Sequence, residues 1–181
     1  MPVENVVTVT CTGNTCRSPM FEACMGLIAP AVVVHSACAP DWSGDGKSPN
    51  PFAVFAFRLV ASRRDFPMEA VDAAADTMAR HRSRSWSEIS PSELRRAKLH
   101  IGAQEKHADS TRRWLQQRRD WPPVEVVSLN IRDDAFDVYV ECGRPATLEE
   151  DISERVRTAY VSLAEAIFTA ARNAALRLRT L

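Results

Sequence analysis

A cysteine and an arginine six positions apart frame the stretch Cys11-Thr12-Gly13-Asn14-Thr15-Cys16-Arg17-Ser18-Pro19. These residue types suit attack of sulfur on phosphorus. The nucleophile in such a reaction is a thiolate. Inward backbone N–H groups, a helix N-terminus and a neighbouring arginine all favour the charged sulfur. Arg17 can grip two phosphate oxygens with its planar fork, which a lysine cannot do. Gly13 is expected to supply a loop conformation closed to residues with a Cβ. Asn14 tolerates left-handed geometry and can brace the loop through its amide. Ser18 is placed to donate a hydrogen bond to the Cys11 sulfur and stabilise it as a leaving group. A buried Cys11 and a solvated Arg17 would be the plainer account. The glycine and asparagine between them, and the serine and proline that follow Arg17, argue against it.

Such a loop needs a strand before it and a helix after it. Val6-Val7-Thr8-Val9-Thr10 is short, apolar and β-branched, so it reads as a buried strand. Past Pro19, apolar residues recur at Met20/Phe21, Cys24/Met25 and Leu27/Ile28, a helical spacing. A loop so placed can act as an anion nest backed by the positive end of the helix dipole. Further strands are expected at Ala31–His35, Leu99–Gly102 and Val124–Leu129. Helices are expected at Pro19–Leu27, Pro51–Ser62, Met68–Met78, Pro91–Ala97, Ala103–Arg118 and Glu150–Leu176. In the last, Ile152, Val156, Ala159/Tyr160, Leu163 and Ile167 form one stripe. The alternation predicts an α/β fold: one domain over residues 1–181, an open parallel sheet of about four strands with helices on both faces. Ligands of such sheets bind at the carboxyl ends of strands, where Cys11 falls.

The loop resembles that of the low-molecular-weight protein tyrosine phosphatase family, Cys-x-Gly-Asn-x-Cys-Arg-Ser-Pro. His35-Ser36-Ala37 is similar to the family segment whose serine supports the loop asparagine. Asp41-Trp42, Ser48-Pro49-Asn50-Pro51, Ala53-Val54 and His81-x-Ser83-Arg84 resemble further family stretches. The resemblance implies the phosphotyrosine protein phosphatase I-like fold and a phosphomonoesterase working through a phosphocysteine at Cys11. Thr12, Gly13, Asn14, Thr15, Cys16 and Ser18 would then line the phosphate site, Arg17 would bind the phosphoryl group, and Trp42 would form an aromatic wall. The implied substrate is a phosphorylated protein side chain, with no cofactor and no metal.

Two stretches depart from the family. Arg63 to Ala79 reads as a helical insertion, expected to be a solvated decoration. The family's Asp-Pro-aromatic proton donor has its closest match in Asp134-Ala135-Phe136, without the proline. Asp137 is a rival and Asp133 a weaker one, with geometry to decide. Thr15 stands where the tyrosine phosphatases carry isoleucine and the related protein-arginine phosphatases carry threonine. An arginine guanidinium could stack on Trp42 as an aryl ring would. Asp133, Asp134, Asp137 and Glu141 would favour a cationic leaving group. A Cys11–Cys16 disulfide could protect the nucleophile from over-oxidation. Cys24 reads as core, Cys38 as a stand-in for a glycine and Cys142 as a loop thiol. His35, His81, His100 and His107 are scattered and read as structural or exposed.

With 23 basic and 23 acidic residues the formal charge is zero, which argues against nucleic acid or an anionic membrane as partner. No apolar run approaches a membrane span. The first residues lack the charged and apolar regions of a signal peptide, and five unpatterned cysteines fit a reducing cytoplasm. Zinc lacks paired ligands at suitable spacing. Oligomeric state is not legible. Two other functions compete. A thiol-coupled arsenate reductase would need further cysteines after the third strand, and 103–118 holds none. A non-catalytic phosphate-binding module fits poorly with an intact Cys11, Arg17 and Ser18.

Overall fold

The computed structural model describes residues 5–145, 148 and 153–180. The leader reading of the first four residues, and the expected start of the last helix with Ile152, lie outside them. The described elements are β1 (Asn5–Cys11), α1 (Arg17–Ile28), β2 (Val32–Cys38), α2 (Pro51–Ser62), α3 (Met68–Arg80), α4 (Pro91–Arg96), β3 (Ala97–Gly102), α5 (Glu105–Gln116), β4 (Glu125–Ser128), α6 (Asp134–Glu141) and α7 (Ser153–Leu178). A single 3₁₀ turn, Trp86–Glu88, precedes α4.

The four strands form one parallel sheet in the order β2-β1-β3-β4. Alternation along the central strands splits the core in two. Val7, Val9, Leu99 and Ile101 face the larger core with α1, α2, α3 and α7. Thr8, Thr10 and His100 share the opposite face. There Thr8 and His100 are joined at 2.5 Å, and Trp86 packs on the His100 ring at 5.6 Å between centroids. Ala37, Ile89 and Leu94 complete that smaller cluster, with Trp114 and Trp121 against it. Burying both faces leaves the carboxyl ends of β1 and β3 as the place where loops converge.

Three elements differ from the sequence reading. The helix expected as a solvated decoration is α3, and it buries Val71, Ala75 and Met78 against the main core. Its exposed face is tied to α2 by Arg58 and Asp72 at 2.8 Å. Its apolar residues fall at i, i+4 and i+7, one face of a helix, which makes it a packed wall. Residues 134–141, read only as an acid loop, form α6. Cys142, read as a loop thiol, is buried just past its end.

Candidate active site

The sharp turn out of β1 rests on Asn14. It takes φ 47°, a left-handed conformation that asparagine tolerates. Gly13 does not adopt a positive φ, and a Cβ there would meet only Thr15 Oγ1, at an ordinary 3.4 Å. The conformational role expected of Gly13 therefore falls to Asn14. Asn14 is fully buried. Its Nδ2 donates to the Ser36 carbonyl at 3.4 Å, and its Oδ1 accepts the Ser18 hydroxyl at 2.8 Å. Ser18 Oγ also lies 3.0 Å from Cys11 Sγ. Ser36 in turn donates to Glu22 at 2.5 Å, and its carbonyl accepts Arg84 Nε at 2.7 Å. Burial raises the Glu22 carboxyl, and the Ser36 hydrogen bond and Arg84 oppose that. Ser83 Oγ donates to the Gly13 carbonyl at 2.7 Å. The loop is thus braced from β2 and from 81–84, the segments that the sequence singled out.

Helix α1 begins at Arg17, and its N-cap Cys16 offers no side-chain cap. The first N–H groups are left for an anion. Arg17 is 4% exposed, and its Nη1 donates to Gln104 Oε1 at 3.0 Å and to the Ile131 carbonyl at 3.1 Å. Its Nε is 3.1 Å from Asp133 Oδ2, yet the angle leaves Nε and Asp133 Oδ1 buried without a hydrogen bond. Asp133 caps α6 with its carbonyl, which accepts the N–H groups of Phe136 and Asp137. Burial raises its carboxyl above the ordinary range, and Arg17 pulls it back only in part. Asp134 points outward, 71% exposed, and pairs with Arg132 at 3.2 Å.

These groups open on a cavity lined by Thr12, Gly13, Thr15, Cys16, Arg17, Gln104 and Asp133, with Asp134 and Asp137 at its edge. Phe136, Tyr139 and Tyr160 supply its aromatic wall. Trp42, expected there, instead stands edge-on to His107, with ring centroids 5.3 Å apart. The acidic rim is met by Lys47, Lys106 and Arg132, so it carries both signs. Cys11, Cys16, Cys24, Cys38 and Cys142 are all free thiols, and burial pushes Cys16 well up. Among the described residues no cluster of His, Cys, Asp or Glu is placed to hold a metal ion. Among them, too, no helix is long and apolar enough to cross a membrane.

The sequence reading missed Gln104 and His107, which enter the site from the start of α5. His107, read as structural or exposed, is fully buried and lies 2.9 Å from Thr12 Oγ1. No pattern in the sequence marks either residue. Their place depends on β3 ending beside β1, which only the topology reveals.

No protein-family profile matches the chain, and no curated protein sequence matches it. Solved structures do. A protein tyrosine phosphatase shares 19% identity over 98% of this chain and 97% of its own, with a TM-score of 0.55. The tyrosine phosphatase AmsI of Erwinia amylovora shares 19% over 93% and 89%, with a TM-score of 0.52. A low-molecular-weight protein tyrosine phosphatase from Streptococcus pyogenes shares 16% over 89% and 91%, with a TM-score of 0.51. The fold is that of the low-molecular-weight protein tyrosine phosphatases.

Proposed function

We propose that this protein is a phosphatase of phosphorylated protein side chains that works through a phosphocysteine at Cys11. The observation that carries the reading is Arg17 Nε, a buried cationic donor without a hydrogen bond, on the same loop as a Cys11 sulfur that a serine hydroxyl meets at 3.0 Å. Asp133 Oδ2 pairs with it by charge at 3.1 Å without a hydrogen bond, and a phosphoryl oxygen supplies the missing acceptor.

In the first step Cys11 Sγ attacks phosphorus, and the bond to the leaving oxygen or nitrogen breaks. Arg17 and the loop N–H groups hold the three equatorial oxygens. A raised carboxyl at the cavity mouth suits a proton donor, so Asp133, rather than the exposed Asp134, protonates the leaving atom. In the second step Asp133 takes a proton from water, whose oxygen attacks the phosphocysteine. The Ser18 hydroxyl then turns from Asn14 Oδ1 to the departing thiolate 3.0 Å away and stabilises it, and inorganic phosphate leaves. No step calls for a metal, because Arg17 and the amides supply the positive charge.

The leaving group belongs to phosphotyrosine or phosphoarginine. Phe136 and Tyr139 accept an aryl ring or a guanidinium plane. The rim charges balance, so choice between the two falls to Thr15 at the cavity wall.

The test is hydrolysis of para-nitrophenyl phosphate, phosphotyrosine peptide and phosphoarginine peptide in the presence of a chelator. Cys11→Ser should abolish all three while leaving the fold intact. More than a few per cent of residual turnover, or loss of wild-type activity on chelation, would contradict the mechanism.

A further inference from the structure

We propose that His107 is a positioning residue, a fixed Nε2–H donor that makes the Thr12 hydroxyl a hydrogen-bond donor to the bound phosphomonoester. The assignment rests on the phosphatase reading for its substrate, but its structural part stands alone. His107 Nδ1 accepts the Gln104 backbone N–H at 3.1 Å, so Nδ1 carries no hydrogen. Burial, with Arg17 and Lys106 adding to it, pushes the ring down to about 3. The imidazole is therefore neutral at physiological pH, and its one proton sits on Nε2. Nε2 lies 2.9 Å from Thr12 Oγ1, so it donates and the threonine oxygen accepts. The hydroxyl hydrogen must then point away from His107. Thr12 lines the cavity with Arg17, Gln104 and Asp133, where an incoming phosphate oxygen is the natural acceptor.

The rest of the helix start supports this role. Trp42 packs edge-on against the ring and fixes its plane. Gln104, whose N–H sets the tautomer, also accepts Arg17 Nη1 through its side chain. One turn of backbone thus orients two donors to the same anion. A threonine free to rotate could turn either lone pair toward phosphate and repel it. The imidazole occupies one of the two and excludes the rotamer that aims the hydrogen at His107, so it biases the hydroxyl toward donation.

Three variants separate the roles. Thr12→Val removes the hydroxyl at nearly constant volume. His107→Asn keeps an acceptor for the Gln104 N–H but falls short of Thr12. His107→Gln restores a donor at the reach of Nε2. Thr12→Val and His107→Asn should each lower kcat/KM for para-nitrophenyl phosphate by about tenfold, the worth of one hydrogen bond to a charged group. The double variant should be no worse than the poorer single one, and His107→Gln should recover most of the loss. Additive losses, or an unaffected Thr12→Val, would overturn the proposal.

The tautomer is read separately by ¹⁵N NMR of the wild-type imidazole. The Nε2–H form should persist from pH 8 to 5. An Nδ1–H form, or titration in that range, would overturn the proposal even if a variant fails to fold. If the wild type hydrolyses no phosphomonoester, the phosphatase reading fails by itself. Binding of inorganic phosphate then decides: it should weaken in Thr12→Val and His107→Asn, and equal affinity would sink the inference.

Discussion

Asp133 and Arg17 meet across the mouth of the cavity, with Oδ2 3.1 Å from Nε, while Nε and the other carboxyl oxygen, Oδ1, are left without a hydrogen bond. The guanidinium is held by its other end, through Gln104 and the Ile131 carbonyl. In the proposed mechanism its Nε edge is the part that takes phosphate. A phosphoryl group that takes this edge leaves Asp133 beside the leaving atom, with a carboxyl already raised by burial.

Asp133→Asn should accordingly slow phosphotyrosine turnover by about 10²–10⁴-fold, the range of a lost general acid. Para-nitrophenyl phosphate should suffer less, since its leaving group departs without a proton. The alkaline limb of the kcat profile should also vanish in this variant, because the wild-type limb reports loss of that proton. Asp134→Asn, at an exposed ion pair, should change turnover by no more than a few fold. The reverse pattern in steady-state kinetics would return the role to Asp134.

How the site was legible in the sequence follows from what holds each part. The loop 11–19 reads itself, because its residues contact one another: Cys11, Asn14 and Ser18 form a local chain of hydrogen bonds. The strands were legible to within a few residues, since β-branched runs have few alternatives. The acid was harder to place. Asp133 and Asp134 are adjacent and chemically identical, and only the α6 N-cap turns one inward and the other out. The packed role of α3 was hidden for a similar reason. A polar-rich helix with three apolar positions looks solvated until a second surface is known to meet it.

Gly102 is a point of close approach between β3 and α5. A Cβ there would sit 2.4 Å from the Ala108 nitrogen and 2.9 Å from its Cα, both backbone atoms of the helix. Gly102→Ala must push α5 outward and carry Gln104 and His107 with it. The expected cost is about 1–3 kcal/mol by urea unfolding, as for other overpacked contacts. Turnover should fall further than stability alone explains, because Arg17 loses its Gln104 support. Unchanged kcat/KM in a destabilised variant would separate the helix from the site.

Thr15 sits on the cavity wall, and its carbonyl is held by the Asn50 N–H at 3.1 Å. The backbone is thus fixed independently of the side chain, so Thr15→Ile changes the wall and little else. An apolar branch closes space near the scissile bond and removes a polar partner. The ratio of kcat/KM for phosphotyrosine over phosphoarginine should rise by an amount worth about 1–3 kcal/mol. Both peptides must be measured on both proteins, since a general loss says nothing of preference. An unchanged ratio would remove Thr15 from the specificity argument.

The buried histidines set the response to acid. His100 is pushed down to about 4 and His107 to about 3, chiefly by burial. In the unfolded chain both return to about 6.5. A depressed folded value means that the unfolded state takes up protons first. Their contribution to stability is complete above about pH 6.5 and is lost as pH falls from there through about 4 and 3. Glu22 and Asp133, both raised by burial, act in the opposite sense: their contribution is present at low pH and lost as pH rises through their folded values. Below about pH 6.5 the two sets oppose each other, and His81, also lowered by burial, adds to the side of the histidines. Urea midpoints should decline as the medium is acidified through this range, with proton uptake on unfolding. His100→Asn should flatten the decline, since it removes one of the groups that charge only on unfolding. It should also lower the midpoint at pH 8, where Thr8 loses its partner across the sheet. An imidazole signal of His100 or His107 that titrated near about pH 6.5 by NMR would contradict the burial of these two rings.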